Sequence, residues 1–496
     1  MAYIFGDSFD CYAAGGDAVG FWDTVTTPPT IVSGRFSGSR AIQNNGSGVL
    51  YIKSSSANDA IHHIVCAYQQ TTALSGASNC CYFMLGDGAT VQCSVVFRQD
   101  GAILLQSGAV GGTTLATYTG AVSLQSQWFA FEIEVVVNSA TGSITVRKNG
   151  NTGTPDFTLG SLNTRGGTTN NYANRLTIGQ GSGIPTWQLD DLLWRSDASS
   201  VAWVGDIRCY TRMPVSDSAV QFARSTMPNA AVVTPTNINT SYGANATHYV
   251  PYTPTTYSGL CTGGTLNFNT ASSGGTGHVK LAIFSNNAGA PGTLLGTSSE
   301  ILNPPASSIQ PFTISSPPYL QKGIQYWIGL NQDATIGYNV VGTSGSWTGS
   351  TTYASWPASN PTVTTLGSVN IPGLILTFGA QYNVDLTSEA QQDGATTYVY
   401  DSTVNDADFY GIASIGVTPA TVIAVTTRGF LQKSDAGSRS GAVQLKSGGT
   451  TVNSGGAALS TTFAWMWRTD TTDPATGSAW TTTGVNNAQI GPTVTA

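Results

Sequence analysis

The sequence predicts an all-β protein built from several sandwiches, on three observations: its composition, its length and a two-residue beat of apolar side chains. Only 9% of the 496 residues are charged, where about 25% is usual. Gly (58 residues), Thr, Ser, Ala and Asn stand where helix-forming Lys and Glu are common, so turns and strands are favoured over helices. The 40% hydrophobic and 10% aromatic content is enough apolar surface to bury cores, which sets the chain apart from disordered sequences of low charge. At ~150 residues per domain the length allows roughly three.

The charge balance excludes some partners. Nineteen basic against 26 acidic side chains, net −7 and with no basic run, cannot neutralise a phosphate backbone or hold an anionic membrane surface. No apolar stretch approaches the ~18 residues of a spanning helix, and the opening residues lack the basic and apolar regions of a signal peptide. The expectation is a soluble protein made in a host cytoplasm, with no membrane insertion and no nucleic-acid partner. Seven cysteines include only the adjacent pair Cys80-Cys81 at close spacing, which suits no tetrahedral zinc site; they are expected as reduced, buried thiols.

Taken in order, Phe131 to Val137 alternates apolar and polar, turns at 138–142 and returns as Ile144 to Lys148, a hairpin followed by the reversal signal Asn149-Gly150. Further strands are expected at Arg175 to Ile178, Trp187 to Trp194 and Trp203 to Arg212. Near Met227 the composition shifts: up to Ala380 the charged residues are Lys280, Glu300, Lys322 and Asp333. Pro228 to Pro254, rich in Pro, Thr and Asn, reads as an extended linker running into a strand. Strand-like runs follow at Gly264 to Phe268, His278 to Phe284, Gln325 to Leu330 and Leu374 to Phe378. Beyond Gln381, strands are expected at Thr421 to Leu431 and Ala442 to Lys446, and along Phe463, Trp465 and Trp467, whose shared face should form a C-terminal core. The domains expected are therefore 1–226, 227–380 and 381–496.

Two blocks resemble a known family. Asp7-Ser8-Phe9-Asp10-Cys11-Tyr12, Phe21-Trp22, Arg35-Phe36-Ser37-Gly38, Trp128-Phe129 and Leu189-Asp190-Asp191-Leu192 resemble concanavalin A-like, laminin-G-like jelly rolls of tailed-bacteriophage virion proteins. Gly205-Asp206-Ile207-Arg208 to Met213-Pro214 resembles a second block, which resumes at residue 393 and runs through Asp435-Ala436-Gly437 to Asp473-Pro474. Between them, Lys280 to Ser285, Ala290 to Leu295 and Tyr326 to Leu330 resemble an inserted, carbohydrate-binding-module-like sandwich. The resemblance implies a virion structural protein of tail-fibre or baseplate type, with a head-surface fibre or capsid decoration protein as the alternative. It implies contacts with other virion proteins and a homo-oligomer, a trimer in the manner of fibres.

Four sets of residues carry chemistry. Trp347, Tyr353, Trp356 and Asn360 concentrate rings and an amide in one hydroxyl-rich loop; sugar C–H faces stack on aromatics, so these are candidates for glycan contact, against packing on the sandwich or a neighbouring subunit. Asp7, Asp10, Asp190 and Asp191 are candidates for a rim calcium, which the laminin-G-like resemblance implies, although neighbours on a strand point to opposite faces and only one of Asp190 and Asp191 should ligate. No other cofactor is expected. Glu132 and Glu134 share a strand face at a spacing glycosidases use, but the middle Asp of the laminarinase-like E-x-D-x-E pattern is missing, and they read as solvent-facing. Phe5-Gly6-Asp7-Ser8 is similar to the first block of GDSL-type esterases, whose Asp-x-x-His usually lies near the C-terminus; among the four histidines here that spacing occurs at Asp59-Ala60-Ile61-His62, far from the C-terminal end of the sequence. The chain is expected to bind and assemble, with no enzymatic activity.

Overall fold

The computed structural model describes the chain apart from residues 1–2, 13, 44–45, 47, 182–185, 200–201, 226, 228, 234–237, 256–257, 272–276, 354, 364, 381 and 388–394. Its sheets are antiparallel, and among the described residues the helical turns are Gly15–Ala18, Asn383–Leu386 and Thr482–Asn486. The chain forms two compact units, residues 1–219 with 390–392 and 402–496, and residues 220–389 with 393–401. Residue 393, where the second block resumes, lies outside the described residues.

In the first unit two sheets make a jelly-roll sandwich. One runs Phe157–Leu162, Gly142–Lys148, Trp128–Val136, Ile61–Gln70, Trp187–Asp197, Arg40–Gln43, Thr30–Ser33, with Tyr3–Asp7 beside Trp187–Asp197. The other runs Thr114–Tyr118, Ile103–Ser107, Thr90–Arg98, Asn79–Asp87, Ala173–Gln180, Gly48–Asp59, Thr24–Val25. Alternation sends Phe131, Ile133 and Val135 inward to meet Phe83, Leu85, Val95 and Phe97. Trp22, Trp187 and Trp194 are fully buried there; each such ring takes ~150–250 Å2 out of water, about 4–6 kcal/mol. The Asn149-Gly150 reversal takes φ of 54° and 72°, which those two residue types tolerate.

Residues 402–496 share this unit. They add a sheet of Pro214–Ala219, Phe409–Ile412, Gln489–Val494, Ser440–Ser447 and Thr450–Asn453, over a small core of Ile415, Leu445, Trp480, Val485 and Ala488. Trp465 and Trp467 do not build that core, contrary to the expectation from their spacing: they lie on the jelly-roll core instead. Among the described residues their strand, Ala464–Asp470, pairs only with Val425–Leu431, and a two-stranded ribbon cannot cover its own aromatic face. Trp467 meets Phe5 and Phe21 edge-on at 6.0 and 5.6 Å, and Trp465 Nε1 donates to Asp17 O. Phe463 turns aside to stack on Phe430. Beneath the ribbon, Arg428 donates to Cys11 Sγ (3.1 Å), Tyr12 OH (3.3 Å) and the buried Asp7 (3.5 Å).

Two further expectations are corrected. Trp203 to Arg212 forms no strand: the N–H groups of Val204, Gly205 and Cys209 go to side-chain carboxylates in place of a ladder, and Gly205 takes a φ of 73°. The linker expected over 228–254 carries the strands Ala230–Val233, Ile238–Tyr242 and Ala246–Tyr252, with 228 and 234–237 outside the described residues.

In the second unit the long Ile336–Ser350 strand pairs with both Gly259–Thr270 and Ala246–Tyr252, joining two layers into one folded sheet. Leu266, Phe268, Ile283, Ile328, Tyr338 and Leu376 belong to the main core of this unit. The protein is thus an all-β, multi-sandwich chain, and among the described residues no helix is long and apolar enough to cross a membrane.

Candidate functional site

The aromatic loop of the second unit packs around a hairpin tip. Strands His278–Asn287 and Ala290–Thr297 turn at Ala288 and Gly289, with φ of 49° and 85°. Val279, Leu281 and Ile283 face the main core, so Ala282 and Phe284 face outward, where they form a satellite cluster with Tyr249 and Trp327. Trp347 and Trp356 lie on this cluster. Trp356 packs edge-on against Phe284 (5.9 Å) and covers Gly329, where a Cβ would come within 2.9 Å of its ring. Trp347 is half-buried and donates from Nε1 to Gly289 O at 3.0 Å. Asn360, exposed, accepts at Oδ1 from Asn287 Nδ2 (3.0 Å) while its N–H donates to Gly292 O (2.8 Å). The tip thus gathers Trp347 and Asn360 with the exposed Asn286 and Asn287. Tyr353 has other partners: its hydroxyl donates to Glu300, and its ring lies 5.9 Å from His278, itself paired with Asp333 at 2.8 Å. Burial, then the Glu300 carboxylate, keeps the Tyr353 phenol protonated.

In the first unit Glu132 is not solvent-facing. Alternation places it off the core face, but residues 202–213 cross that face as a strap. Val204 N (2.9 Å) and Gly205 N (2.7 Å) donate to Glu132, and Trp203 covers His63 at 4.7 Å and takes the Arg147 guanidinium at 4.5 Å. His63 Nδ1 meets Glu132 at 3.0 Å and Nε2 meets Glu134 at 2.9 Å. Burial pulls the His63 pKa down, but the two carboxylates outweigh it and hold the ring charged above its ordinary range. His62, pointing the other way, accepts from Trp194 Nε1, and burial lowers its pKa to about 4. Ser8 shares a hydrogen bond with Thr211 of the strap at 2.6 Å.

The four candidate calcium ligands serve as backbone anchors. Asp7 accepts from Phe9 N (3.0 Å), Tyr12 OH (2.7 Å) and Trp22 Nε1 (2.8 Å); Asp10 accepts from Arg40 N (2.8 Å). Asp190 accepts from Arg35 N and from Asp191 N, both at 2.7 Å, and Asp191 Oδ1 accepts from Cys209 N at 2.8 Å. Asp190 and Asp191 do not point apart as strand neighbours should. Asp191 takes a φ of 52° in a bulge, where the register against Ile61–Gln70 slips, and both carboxyls end up buried together. Burial raises both pKa values, Asp191 further through its neighbour. Calcium takes 6–8 oxygen ligands, and among the described residues no group of three or more His, Cys, Asp or Glu side chains is placed to hold a metal. These residues do not fit a calcium ion.

No family model and no curated protein matches the chain. Among solved structures it is similar to a carbohydrate esterase from Shiga toxin-encoding bacteriophage phi24B, at 14% identity and a TM-score of 0.24 over 34% of this chain and 87% of that one. It is similar to the CBM2 module of the evolved Dit of Lactobacillus casei BL23 phage J-1, at 10% identity and a TM-score of 0.22 over 33% and 72%. A third is the lectin from Bauhinia forficata in complex with GalNAc, at 10% identity and a TM-score of 0.25 over 40% and 100%.

Proposed function

We propose that the chain is a non-enzymatic structural subunit of a tailed-phage particle, of tail-fibre or baseplate type, whose second unit presents a surface for a host-surface glycan. The observation that carries the reading is the hairpin tip, where the Trp347 ring lies among Asn286, Asn287 and Asn360. A sugar's C–H face stacks on the indole while its hydroxyls meet the amides. The virion setting rests on the jelly-roll motifs of the first unit. The absence of catalysis is supported by Glu132, whose carboxylate is already spent on two strap amides and His63. The low charge leaves little like-charge repulsion between copies, which favours a homo-oligomer.

The test measures retention of the full chain on host-envelope polysaccharide. Trp347→Ala and Asn360→Ala should each weaken retention at least tenfold with unfolding unchanged. Equal retention overturns the site, and release of reducing ends or acyl groups that disappears in Glu132→Gln overturns the non-enzymatic reading. Fractionated virions should carry the chain with tails; recovery with emptied heads assigns it to the head surface.

A further inference from the structure

Among the described Phe, Tyr and Trp side chains, three are more than a third exposed: Tyr382, Tyr398 and Tyr400, at 42, 39 and 53%. All three belong to the second unit and lie apart in sequence from the hairpin tip. Apolar groups scattered singly over a surface are ordinary, whereas exposed rings that stand together mark a place of contact. Tyr398 and Tyr400 stand together. Val399–Tyr400 pairs with Ala223–Arg224, Tyr400 opposite Ala223 and Val399 opposite Arg224. Alternation turns Val399 onto the main core of the unit and sends Tyr398 and Tyr400 to the other side, where their centroids lie 6.0 Å apart with the planes inclined at 56°. Their cross-strand neighbours, Ala223 and Ser225, are too small to cover a ring.

The backbone holds the pair in place. Ser225 N donates to Tyr398 O and Tyr398 N donates to Ser225 Oγ, both at 2.9 Å. The fully buried Asn383 accepts from Arg224 Nε at 2.6 Å and donates to Phe222 O at 2.9 Å. Asn383 follows Tyr382, so the third ring is tied to the same strand pair. The size of the patch selects its occupant. At ~200 Å2 for a whole ring side chain the three exposures amount to roughly 270 Å2, about a third of the ~800 Å2 that each side of a standard protein interface buries. Two inclined rings with phenolic hydroxyls instead suit successive rings of an extended saccharide, each sugar laying a C–H face on one tyrosine while its hydroxyls exchange hydrogen bonds at the rim. Arg224 alternates to the opposite face of the strand pair, so the pairing residues put no charge beside the rings and a neutral chain fits them.

We propose that Tyr398 and Tyr400 form a stacking platform for a neutral, extended oligosaccharide. It adds a carbohydrate contact to the second unit and does not rest on the hairpin tip. The test is saturation-transfer NMR on the full chain with hexasaccharides of glucose, galactose and N-acetylglucosamine, each beside its monosaccharide. At least one hexasaccharide should give a signal, stronger than its monosaccharide gives, that Tyr398→Ala and Tyr400→Ala each reduce at least fivefold. Tyr398→Phe and Tyr400→Phe should retain it within twofold, because the ring face carries the contact. Urea midpoints of the Ala variants should match the parent's, which separates loss of contact from loss of fold, and the Phe variants keep the test informative if an Ala variant fails to fold. No signal from any hexasaccharide, or one that survives both Ala variants, overturns the proposal. A change of sedimentation in the Ala variants without any sugar signal also overturns it and assigns the rings to a contact between copies. A signal lost in Trp347→Ala but kept in Tyr400→Ala overturns the platform and leaves the hairpin tip standing; the reverse supports the platform and counts against the tip.

Discussion

Arg428 clasps the C-terminal ribbon to the jelly roll, and Arg428→Met measures how strongly. The guanidinium is 12% exposed and faces the fully buried carboxylate of Asp7. It also lies over the Phe21 ring at 4.3 Å and near Trp465 at 5.5 Å. Removing one partner of a buried ion pair costs about 3–5 kcal/mol. Asp7 keeps three other donors, Phe9 N, Tyr12 OH and Trp22 Nε1, so its charge is not stranded. Methionine retains an apolar stem over the rings. The expected loss is therefore about 2–4 kcal/mol, below the top of that range. Urea unfolding of the full chain, followed by near-ultraviolet circular dichroism, reads the difference. Arg439→Met is the control, because Arg439 pairs with Asp435 while both are about half exposed, and it should change stability by less than about 0.5 kcal/mol. If Arg428→Met matches that control, the clasp is not a stabilising contact and the argument fails.

Asp190 and Asp191 have folded pKa values above the ordinary 3.8, so each holds its proton more tightly folded than unfolded, and stability should fall as pH rises from about 4 toward neutral. His63, also raised, adds to the fall above 6.5, whereas His62, lowered to about 4, acts oppositely below 6.5. Asp191→Asn should flatten the decline in urea midpoint, and an unchanged slope would count against the buried pair. Trp467→Ala should cost about 2–4 kcal/mol, less than the 3–5 of a fully buried ring, and should leave the second unit's unfolding transition untouched in calorimetry. The seven thiols are free, and burial raises Cys80, Cys93 and Cys261 to about 12; a thiol reagent on the native chain should label at most the half-buried Cys209, with the rest reacting only after denaturation. Prompt labelling of several thiols would mean that the cores open readily.

Much of the sandwich could be read from alternation alone. Phe131, Ile133 and Val135 announce an inward face, and their hairpin with Ile144 and Val146 follows from the turn between them. Alternation states only that Glu132 leaves the core face, however, and says nothing of what covers the other side. The strap that covers it reads as a strand because Trp203, Ile207 and Cys209 alternate with charges; what unmakes the strand is a set of carboxylates more than a dozen residues away in sequence, Glu132 and Asp191, taking its amides. The Asp190-Asp191 bulge is hidden for a similar reason, since a single residue with positive φ reverses a face assignment without changing composition. At the hairpin tip, Trp347 and Asn360 were visible as a glycan-like combination, but Asn286 and Asn287 carry only a turn signal and join them through tertiary pairing.

The Asp7–Arg428 clasp has a temporal side. Its two halves lie 421 positions apart, so at ~5–20 residues per second a ribosome needs roughly 20–80 s to deliver the second after the first. Throughout that interval Phe5, Phe21 and their neighbours wait with one flank bare, while the whole second unit is being made. A newly synthesised jelly roll is thus an unfinished, sticky object, and the ribbon that seals it arrives only after the second unit.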